Sequence, residues 1–219
     1  IRHKGDLTLY IDGKKRAFES GEIQFTDYGL SGIPIFQFSR QAAYALEEGK
    51  RVSVLINLFP DQEKRAFEYQ MRIRYETFFE NTLEEFLLGT VNKKINQAMM
   101  KAAGLKPSDR ICSLGFSRVW DFIMSYREIN IHIDAVNGME NAQVCAGGVD
   151  FAEISTEMES LKCPNLYFAG EVIDVDGKCG GYNLQWAWTS GYIAGRNAAG
   201  NSTRELAEEM RKEDVHAEN

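Results

Sequence analysis

The 219-residue chain is poor in the residues that build metal centres and disulfide frameworks. Its four cysteines (Cys112, Cys145, Cys163 and Cys179) form no C-x-x-C pair, and His3, His132 and His216 are scattered. No metal site is expected, and the thiols read as buried or incidental groups of a reducing cytosol, which implies a cytoplasmic protein. There is no apolar run of about 18 residues, so no transmembrane helix is expected. The opening IRHKGDLTLYIDGKKRAF lacks the apolar stretch of a signal peptide and an initiating Met. The chain is therefore expected to be a piece of something longer. Basic residues are outnumbered, 25 against 32, for a net charge of −7. That balance argues against a polybasic membrane anchor and against a nucleic-acid binder working by bulk charge. No G-x-G-x-x-G fingerprint follows a strand near the N-terminus, and no P-loop is present.

What is present is ordinary for a globular protein: 44% apolar and 26% charged residues. Short β-type runs (LTLYI, KRAFES, GEIQF) fill the start, with Asp12-Gly13 between the first two as a hairpin signal. Helical spacing over 35–48 stops at Gly49, and a β run spans Arg51–Leu58. Asp61 is placed to cap a long helix over 61–79. Asn81-Thr82, with Glu84 and Glu85 following, signals another start at Leu83. A third helix is predicted over 91–103, ending at Gly104, and a fourth within 109–126. Strand character returns at 128–136, with Ile129, Ile131, Ile133 and Ala135 on one face and His132 on the other. Further β runs are predicted at 142–150 and at 165–171, the latter as a buried parallel strand. The charged stretch 204–219 reads as a solvated helix that frays.

The informative stretch is AGEVIDVDGKCGGYNLQWAWTSGYIAG, residues 169–195. Glycines gather between a presumed strand end and a helix over 181–199. Gly180 and Gly181 would let backbone approach a flat or anionic ligand with no Cβ in the way. The helix N-terminus adds unpaired N–H groups and a positive dipole end, with Asn183 as the possible cap. Glu171 or Asp174 could accept hydrogen bonds from ribose or ribityl hydroxyls. Ala187, Ser190, Gly191, Ala194, Gly195 and Ala198 suggest a small-residue face for close packing, opposite Trp186, Trp188 and Tyr192. Spacing alone leaves a simple tight turn equally open.

Residues 146–199, with the string GEVIDVDGKCGGYNLQ, closely resemble the C-terminal segment of the BaiN/YhiN-like NAD(P)/FAD-dependent oxidoreductases. This is also called the conserved-flavoprotein or aminoacetone-oxidase-like family. GEIQFTDYGLSGIPIFQFSR, residues 21–40, looks like that family's signature in its insert region. The resemblance implies a mixed α+β and α/β fold. A β-barrel-like insert with a helical subdomain precedes the C-terminal strand-loop-helix part of a discontinuous, Rossmann-like FAD/NAD(P)-binding domain. The implied divisions are a β-rich insert over 1–60, a helical insert over 61–127, a returning strand over 128–145, FAD-domain residues 146–200 and a charged tail over 201–219.

The resemblance also implies the site. Gly170 and Glu171 would lie near the ribityl chain and pyrophosphate of FAD, with Asp174 and Gly177 in the loop beside them. Gly180, Gly181, Tyr182, Asn183, Leu184 and Gln185 would run along the isoalloxazine, and Gly147 and Gly148 form the nearby turn. Cys145, Ala146 and Cys179 stand where hydroxyl residues are usual in the family. The implied enzyme takes hydride from NAD(P)H onto FAD and reduces an unsaturated or carbonyl small molecule. Tyr182 is the candidate proton donor, with packing at the flavin face as its alternative role. The implied partner is the N-terminal FAD-binding half of the same protein, without which this fragment is expected to retain little FAD and to be inactive. The rival reading is a non-catalytic binding or interaction module.

Overall fold

The computed structural model describes residues 1–217, with side chains through Gly200. It divides into two compact units, Ile1–Val136 and Asn137–Asn219. Among the described residues, no helix is long and apolar enough to cross a membrane.

The N-terminal unit begins with a hairpin of β1 (Arg2–Ile11) and β2 (Lys14–Phe25). Asp12 and Gly13 both take positive φ, 50° and 74°, as the two-residue turn requires. The turn is tied to the neighbouring strand, because Asp12 Oδ1 accepts the Arg51 N–H at 3.0 Å. The runs KRAFES and GEIQF form one strand rather than two, since Glu19 to Gly21 stay in register opposite β1. β3 (Leu30–Ser31), α1 (Ile33–Glu47) and β4 (Val52–Asn57) follow. The helix closes as the sequence predicts: Gly49 N–H donates to Leu46 O and Lys50 N–H to Ala45 O, a Schellman pair.

Four helices come next: α2 (Lys64–Thr77), α3 (Leu83–Phe86), α4 (Lys93–Ala102) and α5 (Ile111–Leu114). α6 (Phe116–Met124) and β5 (Ile129–Ile133) complete the unit. Asp61 does not cap α2. Its carboxylate instead accepts from Lys4 Nζ at 2.6 Å, and the helix starts three residues later. The predicted fourth helix is broken at Gly115, whose φ of 77° ends α5 and starts α6. Thr82 and Glu85 form the reciprocal capping box of α3.

The five strands make one antiparallel sheet in the order β3-β2-β1-β4-β5, curled as a half-barrel. Alternation buries Leu7, Leu9 and Ile11 from β1 and Val52, Val54 and Ile56 from β4 on one face. Phe38, Ala42 and Ala45 of α1 join that core, as do Phe67, Phe86, Ile123 and Tyr126 from the helical part. Strand β5 is shorter than predicted, and Ala135 lies beyond it, exposed.

The C-terminal unit carries one long helix, α7 (Tyr182–Ala217), and a small core of Ile154, Met158, Ile173 and Ala194. The two predicted β runs before it are not strands. In 142–150, positive φ at Gly147 and Gly148 takes the chain out of the extended region, and only Val149 pairs, through a parallel bridge to Ile173. In 165–171, a parallel strand would need a sheet to join. The segment is tied instead to a turn of its own unit, with Ser160 N–H donating to Leu166 O and Phe168 N–H to Met158 O. The helix predicted over 181–199 continues into the charged tail; the exposure and fraying expected there lie outside the described residues.

One polar network in the N-terminal core makes a clear prediction. The Tyr126 hydroxyl donates to Asn96 Oδ1 at 3.0 Å, and Asn96 Nδ2 donates to Leu87 O at 3.1 Å, all buried. Burial pushes the Tyr126 phenol up. Tyr126→Phe should cost about 1–3 kcal/mol in urea unfolding by removing the Asn96 donor. With the folded pKa raised, wild-type stability is full below about pH 10 and falls as pH rises past it, because the unfolded phenol ionises first. The Phe variant should lack that part of the alkaline slope.

Candidate functional site

Residues 145–190 of the C-terminal unit are assembled by side chains gripping backbone. The loop from Gly170 to Gly177 begins with a single 3-10 turn, Gly170–Val172, with Gly170 at φ 71°. Trp186 Nε1 donates to Gly170 O at 3.2 Å, and the Gly170 N–H donates to Ser190 Oγ at 2.9 Å. At the far end, Asn183 Oδ1 accepts the Gly177 N–H at 2.7 Å while its Nδ2 donates to Gly177 O at 3.3 Å. Asn183 is therefore the second residue of α7 rather than its cap, and its amide closes the loop.

This loop in turn holds the 145–149 turn. Glu171 Oε1 accepts the Cys145 N–H at 2.5 Å, and Asp174 Oδ1 accepts the Gly147 N–H at 3.1 Å. Val149 exchanges backbone bonds with Val172 and Asp174, at 2.8 and 2.9 Å. The approach is close enough that a Cβ on Gly148 would lie 2.4 Å from Val172 O. Gly148 thus serves contact between two chain segments. Gly177 does likewise, since a Cβ there would meet Tyr182 Cβ at 2.9 Å.

Gly180 and Gly181 differ. Their φ values are 127° and 96°, and nothing lies within 4 Å of a Cβ built on either. Gly147, at φ 96°, is equally open. The Gly180-Gly181 pair leads directly into α7, whose first turn holds no acidic residue to offset its positive end. Tyr182 and Leu184 stand exposed beside it, at 64% and 63%, and Gln185 points its amide to Thr189 Oγ1. Bare backbone at a helix N-terminus suits a flat, electron-rich or anionic group, so the residues present fit a flavin.

The family described as the HI0933-like protein Rossmann domain matches residues 32–197. The chain belongs to that family. Among known proteins, it is similar to the 3-dehydro-bile acid delta(4,6)-reductase of Clostridium scindens, with 40% identity over 204 residues. That alignment covers 91% of this chain and 49% of the reductase. It is also similar to the ribosomal RNA dihydrouridine synthases of Escherichia coli (33% over 175 residues, 79% of this chain and 41% of that protein) and Haemophilus influenzae (30% over 172, 78% and 40%). The chain spans less than half the length of each of these relatives.

The sequence reading missed Trp186 and Ser190 as site residues and misplaced the helix faces. At 3.6 residues per turn, Trp186 sits one turn before Ser190 and two before Ala194, so all three face the small core. Gly191 and Gly195 fall instead on the outer side with Leu184, Trp188 and Tyr192. The available signal was Ser190 itself, a lone hydroxyl among small residues of a buried stripe.

The two kinds of glycine should separate by mutation. Gly181→Ala meets only the left-handed backbone penalty, about 1–2 kcal/mol. Gly148→Ala adds a clash with the Val172 carbonyl and should lower the melting temperature clearly more. Equal losses in thermal unfolding would contradict the division made here.

Proposed function

We propose that this chain completes the FAD domain of a flavin-dependent oxidoreductase that uses NADH or NADPH to reduce a small molecule at a carbon–carbon double bond conjugated to a carbonyl. The observation that carries this reading is the open backbone of Gly180 and Gly181 at the start of α7. Family membership supports it. In this reading the domain is discontinuous: residues 1–60, 61–127 and 128–145 form the insert, and 146–200 the returning segment. Leu184, Trp188 and Tyr192, with Gly191 and Gly195 alongside them, leave an exposed apolar stripe on α7. The N-terminal, ADP-binding half of the same protein is the proposed cover.

The relatives' names point to one shared chemistry. Bile acids that are 3-dehydro and delta(4,6)-unsaturated carry double bonds conjugated to a ketone, and forming dihydrouridine removes a ring double bond conjugated to a uracil carbonyl. In each, reduction at such a bond amounts to hydride at a carbon made electrophilic by conjugation to the carbonyl, with a proton at its neighbour. The net charge of −7 favours a small molecule over an RNA as substrate. Bound at this site, the flavin supplies the hydride relay between nicotinamide and substrate. The protein's own part is to admit the ring at Gly147, Gly180 and Gly181 and to stabilise negative charge there through the N-terminus of α7. Tyr182 is the chain's candidate proton donor.

The full-length protein should purify with the visible absorption of bound flavin, while the isolated chain retains little. Gly181→Val should weaken FAD binding by about tenfold or more, equivalent to about 1.4 kcal/mol. A conjugated enone should reoxidise the reduced protein, and a saturated ketone should not. A full-length protein that stays colourless and binds no added FAD would favour the non-catalytic binding module instead.

A further inference from the structure

We propose that Asn183, Trp186 and Ser190 are positioning residues that hold the Gly170–Gly177 loop in the form that receives the cofactor. The proposal rests on the flavin reading above. The three lie at i, i+3 and i+7 of α7, so they share one face over its first turns. Between them they engage both backbone groups of Gly170 and both of Gly177, the two ends of the loop.

The chemistry of Ser190 makes its role specific. The residue is fully buried. Its hydroxyl donates back to the Trp186 carbonyl at 2.7 Å, which leaves its oxygen as the acceptor for the Gly170 N–H at 2.9 Å. Trp186 contributes both volume, with its ring edge-on to Phe151 at 6.0 Å, and a donor for the Gly170 carbonyl. Packing alone would be met by an alanine and a phenylalanine at these positions. The polar atoms are accounted for by the peptide they fix.

What that peptide fixes is the rest of the site. The turn at Gly170 sets where Glu171 and Asp174 meet the 145–147 turn, and the amide pair at Gly177 sets the span that carries Gly180 and Gly181. None of the three side chains needs to touch the cofactor to control how well it fits.

The test uses the full-length protein with FAD as the probe. FAD affinity, the flavin absorption spectrum and the melting temperature are measured for wild type, Ser190→Ala, Trp186→Phe and Ile154→Val. Ile154 lies in the same small core and takes no part in the three-residue grip. Ser190→Ala and Trp186→Phe are each expected to weaken FAD binding about tenfold and to shift the flavin bands. Ile154→Val should lower the melting temperature while leaving affinity and bands as in wild type. If Ser190→Ala does not fold, Trp186→Phe, which keeps the aromatic ring, decides alone. Affinity and bands no more altered than in Ile154→Val would overturn the positioning role and leave the flavin reading standing. A wild type that binds no FAD would overturn both.

Discussion

Ser190 lies between two backbone groups with no access to water, donating to the Trp186 carbonyl and accepting from the Gly170 N–H. The C-terminal unit is organised outward from that contact. The buried Ser190 oxygen and the Trp186 N–H grip both polar groups of the half-buried Gly170 peptide, so that peptide is held in one orientation. From it the order passes through Glu171 and Asp174 to the 145–149 turn, and through Asn183 to the Gly180-Gly181 pair. Little of this depends on apolar contact. It is a hierarchy of hydrogen bonds running from one helix face to one loop to the next.

The N-terminal unit is held differently. Its sheet and helices share a continuous apolar core, and the polar side chains that enter or border it include several whose partners are fixed backbone carbonyls. Arg74 is an example. Its guanidinium donates to the Phe86 and Leu88 carbonyls at 2.5 Å each and lies over the Phe78 ring at 4.7 Å. Burial lowers its pKa, yet an arginine stays charged, so the cation serves here as a fixed link between α2 and the end of α3. One unit is thus specified by the packing of alternating and helical faces, the other by particular donors and acceptors.

That difference explains what the sequence made legible. The Asp12-Gly13 turn, the cap at Thr82 before Leu83 and the stops at Gly49 and Gly104 are local chemistry, complete within a few residues, and each lies where the sequence signals it. Asp61 was misread because its partner, Lys4, is 57 residues away. The run NLYFAGE has strand composition, but a parallel strand is a property of neighbours, and in this unit its neighbour is a turn. Trp186 and Ser190 reach back 16 and 20 residues to a backbone group, which leaves no periodic trace. Asn183 stood in a stretch that the family resemblance singled out; its direction, toward Gly177, was not readable.

Among the described residues, the C-terminal unit buries four apolar side chains in its own core, while Tyr182, Leu184, Trp188 and Tyr192 of α7 stay in water. A nucleus that small holds little free energy in reserve. Whatever binds the native form of such a unit adds directly to its stability by mass action. On the flavin reading proposed above, copies left without the cofactor would then be the less stable ones, and the ones more open to proteases.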